Sequence, residues 1–162
     1  MSNAKERVLR REFQRGYEAA KVVQNNADMM TGTELYAVDD RIPTFKAAVK
    51  KMNMMDRPAG QTDGFVCRSS AGRVVRLLQN YDSTVYLHED GTPWEPEELP
   101  AQWGFKWSTD PAKAKPFIAL ATSPYNTGEC CTEGEEEFRS KMDGNVHAPS
   151  AYPQGWEKVG AS

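Results

Sequence analysis

The sequence has few of the residues and patterns that usually identify a function. Its 162 residues include three cysteines and two histidines, and no apolar run approaches the roughly 18 residues of a membrane span. The cysteine count is odd and no pair has C-x-x-C spacing, which favours free thiols in a reducing compartment. The N-terminal residues lack the apolar segment of a conventional signal peptide. We expect a protein that neither contacts a membrane nor is secreted by such a signal.

Basic residues are not in excess, but charge is unevenly distributed. The formal net charge is −3. Residues 1–25 carry six basic side chains against three acidic ones, whereas residues 129–137 carry five glutamates and no basic residue. General binding to nucleic acid is not favoured, because it needs a basic face that displaces counterions from phosphate. Local phosphate contacts by the N-terminal arginines remain an alternative.

Two segments near the N-terminus have helical periodicity. In residues 4–25, Leu9, Phe13 and Tyr17 recur at four-residue steps while arginines fill the opposite arc, which predicts an amphipathic basic helix. The segment "DDRIPTFKAAVKKMNMM" predicts a second helix, with Pro43 in its first turn and an apolar face that begins at Phe45.

From Gly64 onward, short runs of β-branched and aromatic residues alternate with turn residues. The runs "FVCRS", "RVVRLLQ", "STVYLHE" and "PFIALATS" predict the strands of an antiparallel meander. Residues 69–80 also fit a helix capped by Ser69, and periodicity alone does not decide between the two. Between the strands, Trp94, Trp103 and Trp107 lie among prolines, where we expect a flap that closes over the sheet; a ligand platform is the alternative.

Together these patterns predict an α+β protein with two N-terminal helices packed on a small, mostly antiparallel sheet. We divide the chain into a basic helix (1–27), an α+β core (28–122) and a polar acidic segment with an extended C-terminal arm (123–162). The arm has few apolar anchors in polar surroundings, a composition typical of segments that fill pockets on another surface.

The segment "GECCTEGEEEFRSK", residues 128–141, allows three interpretations. A zinc site would need thiolates at spacings that let four ligands converge, and Cys130 and Cys131 are adjacent. A catalytic carboxylate pair would use Glu135 and Glu137. The favoured interpretation is a surface helix at residues 133–142, capped near Thr132, with an acidic first turn.

Three elements, in order, resemble the mono-ADP-ribosyltransferases. They are the arginine of "LYAVDDR" (Arg41), the Ser-Thr pair of "FKWSTDP" and the Glu-x-Glu of Glu135 and Glu137. In that family the arginine and a Ser-Thr-Ser strand hold NAD, and the second glutamate supports transfer. The sequence departs from the motif at Asp110, which stands at the third Ser-Thr-Ser position. The resemblance implies an ADP-ribosyltransferase-like enzyme as one alternative.

The lack of a catalytic motif, the polar arm and the opposite charges of two segments favour a non-enzymatic interaction or assembly protein. Chains of this style are common among phage-encoded proteins, including virion components and inhibitors of host enzymes, and such an inhibitor is a further alternative. We expect a cytoplasmic or virion protein that docks on protein subunits, its own or foreign, within an oligomer or larger assembly.

No catalytic residue, cofactor or metal ligand is predicted. The residues expected to contact the partner are Arg7, Arg10, Arg11 and Arg15 of the basic helix, and Val146, Tyr152, Trp156 and Val159 of the arm.

Overall fold

The protein has an α+β fold, as the sequence predicts. The computed structural model describes residues 22–24, 26–51, 65–79 and 85–161. Within them lie helices α1 (Gly32–Ala37) and α2 (Phe45–Lys51) and strands β1 (Val66–Arg68), β2 (Val74–Leu77), β3 (Trp103–Phe105), β4 (Lys115–Pro116), β5 (Cys130–Glu133), β6 (Glu136–Ser140) and β7 (Trp156–Ala161).

The strands form two sheets rather than one. The first sheet has the order β1-β2-β3 and is antiparallel throughout. The second has the order β4-β5-β6-β7, with β4 parallel to β5 and the other pairs antiparallel. The predicted antiparallel meander therefore describes the first sheet, while the second is built largely from the segment that the sequence assigned to a helix and an arm.

The hairpin of β1 and β2 is the best-predicted part of the fold. Ser69 and Arg73 close it with a backbone hydrogen bond of 2.8 Å, and Gly72 has a φ of +83°, which favours glycine. Val74, Val75 and Leu77 are fully buried. Residues 74–77 are a strand, so the alternative of a helix at residues 69–80 is wrong over the part that the structure describes.

The predicted helices are found in part. Residues 1–21 and 25 of the first lie outside the described residues, while residues 22–24 are helical. The second begins at Phe45, where the Thr44 hydroxyl accepts a hydrogen bond from the Ala47 N–H. Pro43 precedes this helix instead of lying in its first turn, because Thr44 is the residue that caps the helix and Pro43 comes before it.

Two predicted strands are mostly absent. In "PFIALATS", Pro116 alone lies in a strand. In "STVYLHE", the described residues 85–89 form only an isolated bridge between Leu87 and Pro93. The third strand of the first sheet comes from the tryptophan-rich segment instead. Trp103 and Trp107 are 0% and 3% exposed, so this segment forms core and is not a flap.

The predicted acidic helix at residues 133–142 is wrong, because β5 and β6 form a hairpin there. Glu133 pairs with Glu136 around a two-residue turn, in which Gly134 has a φ of +65°. Cys131 and Phe138 pair across the strands, and both pack against the main core. Burial of these two side chains on one face of a sheet outweighs the helix propensity of the glutamates.

The predicted extended arm is also corrected. Strand β7 pairs with β6 in antiparallel register, from Ser140 opposite Trp156 to Glu136 opposite Ala161. Trp156 is 5% exposed and belongs to the main hydrophobic cluster. Asn145 is fully buried and donates through its side-chain amide to the Ser140 hydroxyl at 3.1 Å and the Gly155 carbonyl at 3.2 Å. The segment is therefore part of its own domain.

The core lies on both faces of the first sheet. On one face, Cys67, Val75 and Leu77 pack with α2 and with Tyr125, Cys131 and Trp156 from the second half of the chain. On the other, Val66 and Val74 pack under Leu35 and Tyr36 of α1. Over the described residues, no helix is long and apolar enough to cross a membrane.

Candidate functional site

The residues predicted to contact a partner are not brought together as one surface. The four arginines of the basic helix lie outside the described residues. In the C-terminal segment, Val146 and Val159 are half-buried and Trp156 is buried, while Tyr152 is 41% exposed. Tyr152 alone of these four has the exposure of a partner-contacting side chain.

The thiols of the acidic segment are buried. Cys130 and Cys131 are 1% and 0% exposed on β5, and adjacent strand residues point to opposite faces of the sheet. Burial raises the pKa of Cys131 to about 12 and also raises the pKa of Cys130, so both thiols stay protonated at neutral pH. Among the described residues, no three His, Cys, Asp or Glu side chains cluster closely enough to hold a metal ion.

Two of the three elements that resemble the ADP-ribosyltransferases lie side by side. The Ser108 carbonyl accepts a hydrogen bond from the Cys130 N–H at 2.9 Å, which places the Ser-Thr segment beside β5. Glu135 lies in the turn of the β5–β6 hairpin and Glu137 on β6. Arg41 ends a 3₁₀ helix with an exposed side chain. The enzymatic alternative stays a prediction.

A concavity lies between α2 and a turn at residues 85–95. It has a volume of about 510 Å³, within the range of ligand and peptide sites. We call it the His88 groove; its lining includes Phe45, Lys46, Ser70, His88, Pro93 and Glu95.

The wall that carries His88 is a tight reversal of the chain. Leu87 and Pro93 form a bridge, and the His88 N–H donates to the Thr92 carbonyl at 2.8 Å. Gly91 has a φ of +86°, and the Asp90 carboxylate accepts from the Thr92 N–H at 3.0 Å. The sequence "HEDGT" thus contains both the Asp side chain and the glycine that such a turn requires.

The contacts of His88 favour the imidazolium form of its ring. Its Nε2 lies 2.9 Å from the Glu98 carboxylate, and its Nδ1 lies 3.0 Å from the Thr92 hydroxyl oxygen. The Thr92 hydroxyl donates its proton to Asp90 at 2.6 Å, so its oxygen accepts from His88. In the protonated ring both nitrogens donate, and the hydrogen bond to Glu98 is the largest cause that raises the pKa of His88.

An indole ring covers one side of this imidazolium. Trp94 stacks on His88 with ring centroids 5.7 Å apart and an interplanar angle of 23°. This distance allows a cation–π contribution. Trp94 is 37% exposed, whereas Trp103, Trp107 and Trp156 are buried, so Trp94 is the most exposed of the four tryptophans.

The carboxylates of Glu95 and Glu98 accept hydrogen bonds from other groups of the protein, whereas the ammonium group of Lys46 forms no ion pair with any described residue. Glu95 accepts hydrogen bonds from the hydroxyl and the N–H of Ser70. Glu98 accepts from His88 and from the Glu95 N–H at 2.8 Å. Lys46, on α2, is exposed and forms no ion pair within the described part of the chain. The groove therefore offers an ammonium group to a partner.

Exposed apolar side chains lie on the segment that leads into the His88 turn. Val85 and Leu87 are 67% and 39% exposed, and Leu87 forms a bridge with Pro93, which lines the groove. A partner segment in the groove could extend onto these side chains.

The sequence did not indicate this groove, because "STVYLHE", which contains His88, predicts a strand. The available signal was the combination of His88 and Trp94 with the glutamate pair at positions 95 and 98, which forms a capping box at the next short helix.

No protein-family model, curated protein or solved structure matches the chain.

Proposed function

We propose that the protein is a non-enzymatic interaction protein, and that its docking site is the His88 groove rather than a C-terminal arm. The observation that carries the proposal is the exposed Lys46 ammonium in the lining of the groove, together with the exposed apolar side chains of Val85 and Leu87 on the segment that leads into its His88 wall. The occupant that fits is an extended segment of a partner protein, with an apolar side chain over Leu87 and a carboxylate beside Lys46.

The chemistry of the side chains supports binding over catalysis. A catalytic base needs a free lone pair, and both nitrogens of His88 already have hydrogen-bond partners within the protein. A cysteine nucleophile needs an accessible thiolate, and the three cysteines are buried. The groove combines a fixed polar network with exposed apolar edges, an arrangement suited to recognition.

The test uses synthetic peptides and the full chain. Eight-residue peptides that contain Asp next to Phe or Leu are titrated against the protein, with Lys-for-Asp versions as the charge-reversed control. Binding is followed by NMR shifts of the groove amides and by tryptophan fluorescence, with a Trp94→Phe variant to isolate the contribution of Trp94. We expect the acidic peptides to bind and the basic ones to bind more weakly, since Lys46 repels them.

Two pairs of variants locate the contact. Lys46→Glu and Leu87→Ser should each weaken binding of the acidic peptides by about tenfold or more, as expected for loss of an ionic or apolar contact of about 1.4 kcal/mol. Lys141→Glu and Tyr152→Ser change matched exposed residues outside the groove and should leave binding unchanged. Equal losses in both pairs, or no preference for acidic peptides, would reject the groove as the docking site.

A further inference from the structure

Strand β7 is the outermost strand of the second sheet, and one of its edges is open. It pairs with β6 on one side. On the other side, the Trp156 N–H donates to the Pro153 carbonyl in the preceding turn, and no other backbone group of β7 has a hydrogen-bond partner among the described residues. Glu157 and Lys158 are exposed. The edge is therefore accessible to another chain.

The remaining sheet edges are covered by groups of the protein itself. At β1, the side-chain amide of Gln24 donates to the Val66 carbonyl and accepts from the Val66 N–H at 2.9 Å. At β3, the Phe105 N–H donates to the Ser123 hydroxyl at 2.9 Å. At β4, Pro116 has no N–H to offer. Because an uncovered edge is a template for pairing with another strand, β7 is the place in the two sheets where such pairing can occur.

The ladder between β6 and β7 fixes which backbone groups point outward. The Lys141 N–H donates to the Gly155 carbonyl at 2.8 Å, so these two residues are a hydrogen-bonded pair. Hydrogen-bonded and non-hydrogen-bonded pairs alternate along an antiparallel ladder. Glu157 is therefore bonded to β6, whereas the Trp156 carbonyl and both backbone groups of Lys158 point away from β6. The register shifts only beyond Lys158.

Charge indicates which residue a partner strand places on this edge. Glu157 forms no ion pair with any described residue. Arg139 stands opposite Glu157 on β6, but its guanidinium donates to the Thr109 carbonyl at 3.5 Å. Lys158, in contrast, contacts Glu136 at 2.8 Å. Side chains directly opposite each other on antiparallel strands have Cβ atoms about 4.5–5.5 Å apart, so a basic residue opposite Glu157 is favoured.

The same rule disfavours a second copy of this chain on the edge. Antiparallel pairing of two β7 strands about a two-fold axis at Glu157 places two carboxylates opposite each other, and pairing about Lys158 places two ammonium groups opposite each other. A strand of another protein has no such restriction.

We infer that the open edge of β7 binds an extended segment of a partner protein, which adds a fifth strand to the second sheet and places Lys or Arg opposite Glu157. The outward backbone groups of Trp156 and Lys158 hydrogen-bond to the added strand, and Glu157 selects its charge. This surface is independent of the His88 groove.

The experiment titrates the full chain with short peptides of alternating Thr and Val that carry Lys or Glu at the central position. NMR shifts and amide hydrogen exchange follow binding. We expect the Lys peptide to bind more tightly than the Glu peptide, and N-methylation of its backbone to abolish binding. The Lys158 amide should exchange rapidly in the free protein and become protected in the complex. The Glu157 amide, which is bonded to β6, should be protected in both.

Variants separate the backbone contact from the side-chain contact. Lys158→Pro removes an outward N–H, which an edge strand tolerates, and should weaken the Lys peptide by about tenfold or more. Lys158→Ala keeps the N–H and should bind as wild type does. Glu157→Lys should reverse the preference between the two peptides. Glu89→Lys makes the same charge change at an exposed residue outside the second sheet and should leave both titrations unchanged.

Native NMR dispersion confirms that each variant is folded, and Glu157→Lys tests the inference if Lys158→Pro does not fold. Absence of binding by both peptides would overturn the inference, as would equal binding of the two or shifts confined to the His88 groove. A Lys158 amide that is already protected in the free protein would mean that the edge is covered. If that protection grows with protein concentration as the solution mass doubles, a second copy occupies the edge and the proposal is rejected as stated.

Discussion

The indole nitrogen of Trp156 donates a hydrogen bond to the carbonyl oxygen of His147 at 2.7 Å. The Trp156 ring also packs edge-on against Tyr125, with centroids 5.4 Å apart, and against Phe117 at 6.0 Å. These contacts join the C-terminal strand to the aromatic core that links the two sheets. A segment of polar composition is thereby held by one large side chain and the hydrogen bonds around it.

Deletion of residues 145–162 is expected to abolish folding. It removes β7, the Trp156 side chain and the buried Asn145 in one step. Trp156→Ala, a smaller change, should lower the free energy of unfolding by about 3–5 kcal/mol, as for other buried tryptophans. Circular dichroism and NMR dispersion measure both effects. Tyr152→Ser, on the exposed side of the same segment, should remain close to wild type. A truncated chain with a native spectrum would restore the interpretation of a separate arm.

A second prediction concerns a largely buried ion pair between the β1–β2 hairpin and the short helix Pro96–Glu98. Arg73 contacts Glu97 at 3.3 Å, with side chains 9% and 17% exposed, and donates to the Pro116 carbonyl at 2.7 Å. Glu97→Ala leaves the Arg73 charge buried without its partner, so we expect a loss of about 3–5 kcal/mol in urea unfolding.

The matched control is an exposed pair. Lys158 contacts Glu136 at 2.8 Å, but the two side chains are 52% and 48% exposed. Glu136→Ala should therefore cost about 0–1 kcal/mol. Similar losses in the two variants would contradict the assignment of Arg73 and Glu97 as a structural link.

The sequence predicted the elements whose local and tertiary preferences agree. In the β1–β2 hairpin, β-branched residues that favour strands are also the residues that the core buries, and Gly72 fits the turn.

The tryptophan-rich segment also contains a strand pattern, but its prolines favoured the prediction of a flap. Trp103, Phe105 and Trp107 alternate with Gly104 and Lys106, which is the period of a strand with one buried face.

The second sheet was not predictable in the same way. Glutamates in "TEGEEEF" have good helix propensity, and nothing local records that Cys131 and Phe138 meet the core. The two-residue turn at Gly134 was the available sign of a hairpin. The His88 groove combines residues from segments far apart in the chain, so its composition depends on the tertiary fold.

A third prediction concerns the three thiols. Cys67, Cys130 and Cys131 are 0%, 1% and 0% exposed. Thiol reagents attack the thiolate, which burial disfavours at Cys130 and Cys131 by raising the pKa of each. We expect a chromogenic disulfide reagent to detect no thiol in the native protein at pH 8 and all three in denaturant. One rapidly reacting thiol in the native state would contradict the described packing of its cysteine.

The last prediction concerns the pH range of the His88–Glu98 pair. The hydrogen bond to Glu98 raises the pKa of His88 above its ordinary 6.5, so the folded protein holds this proton more tightly than the unfolded chain does. The stabilisation that protonated His88 contributes is complete below pH 6.5, and it is lost as the pH rises through the raised pKa of His88 in the folded protein. The same bond lowers the pKa of Glu98 below 4.5, so the carboxylate contributes above that pH and loses its contribution as the pH falls through the lowered value. Both contributions are therefore complete between pH 4.5 and pH 6.5.

NMR titration of the His88 ring protons in a His147→Gln background, which leaves one histidine signal, measures this directly. We expect a midpoint above 6.5, and a lower midpoint in Glu98→Gln, because the amide no longer favours the imidazolium by its charge. Thr92→Val removes the second acceptor and should also lower the midpoint. Glu89→Gln changes an exposed carboxylate in the same turn and serves as the control. An unchanged midpoint in Glu98→Gln would mean that the two side chains do not form this hydrogen bond in solution, and the docking groove would then lack its fixed polar wall.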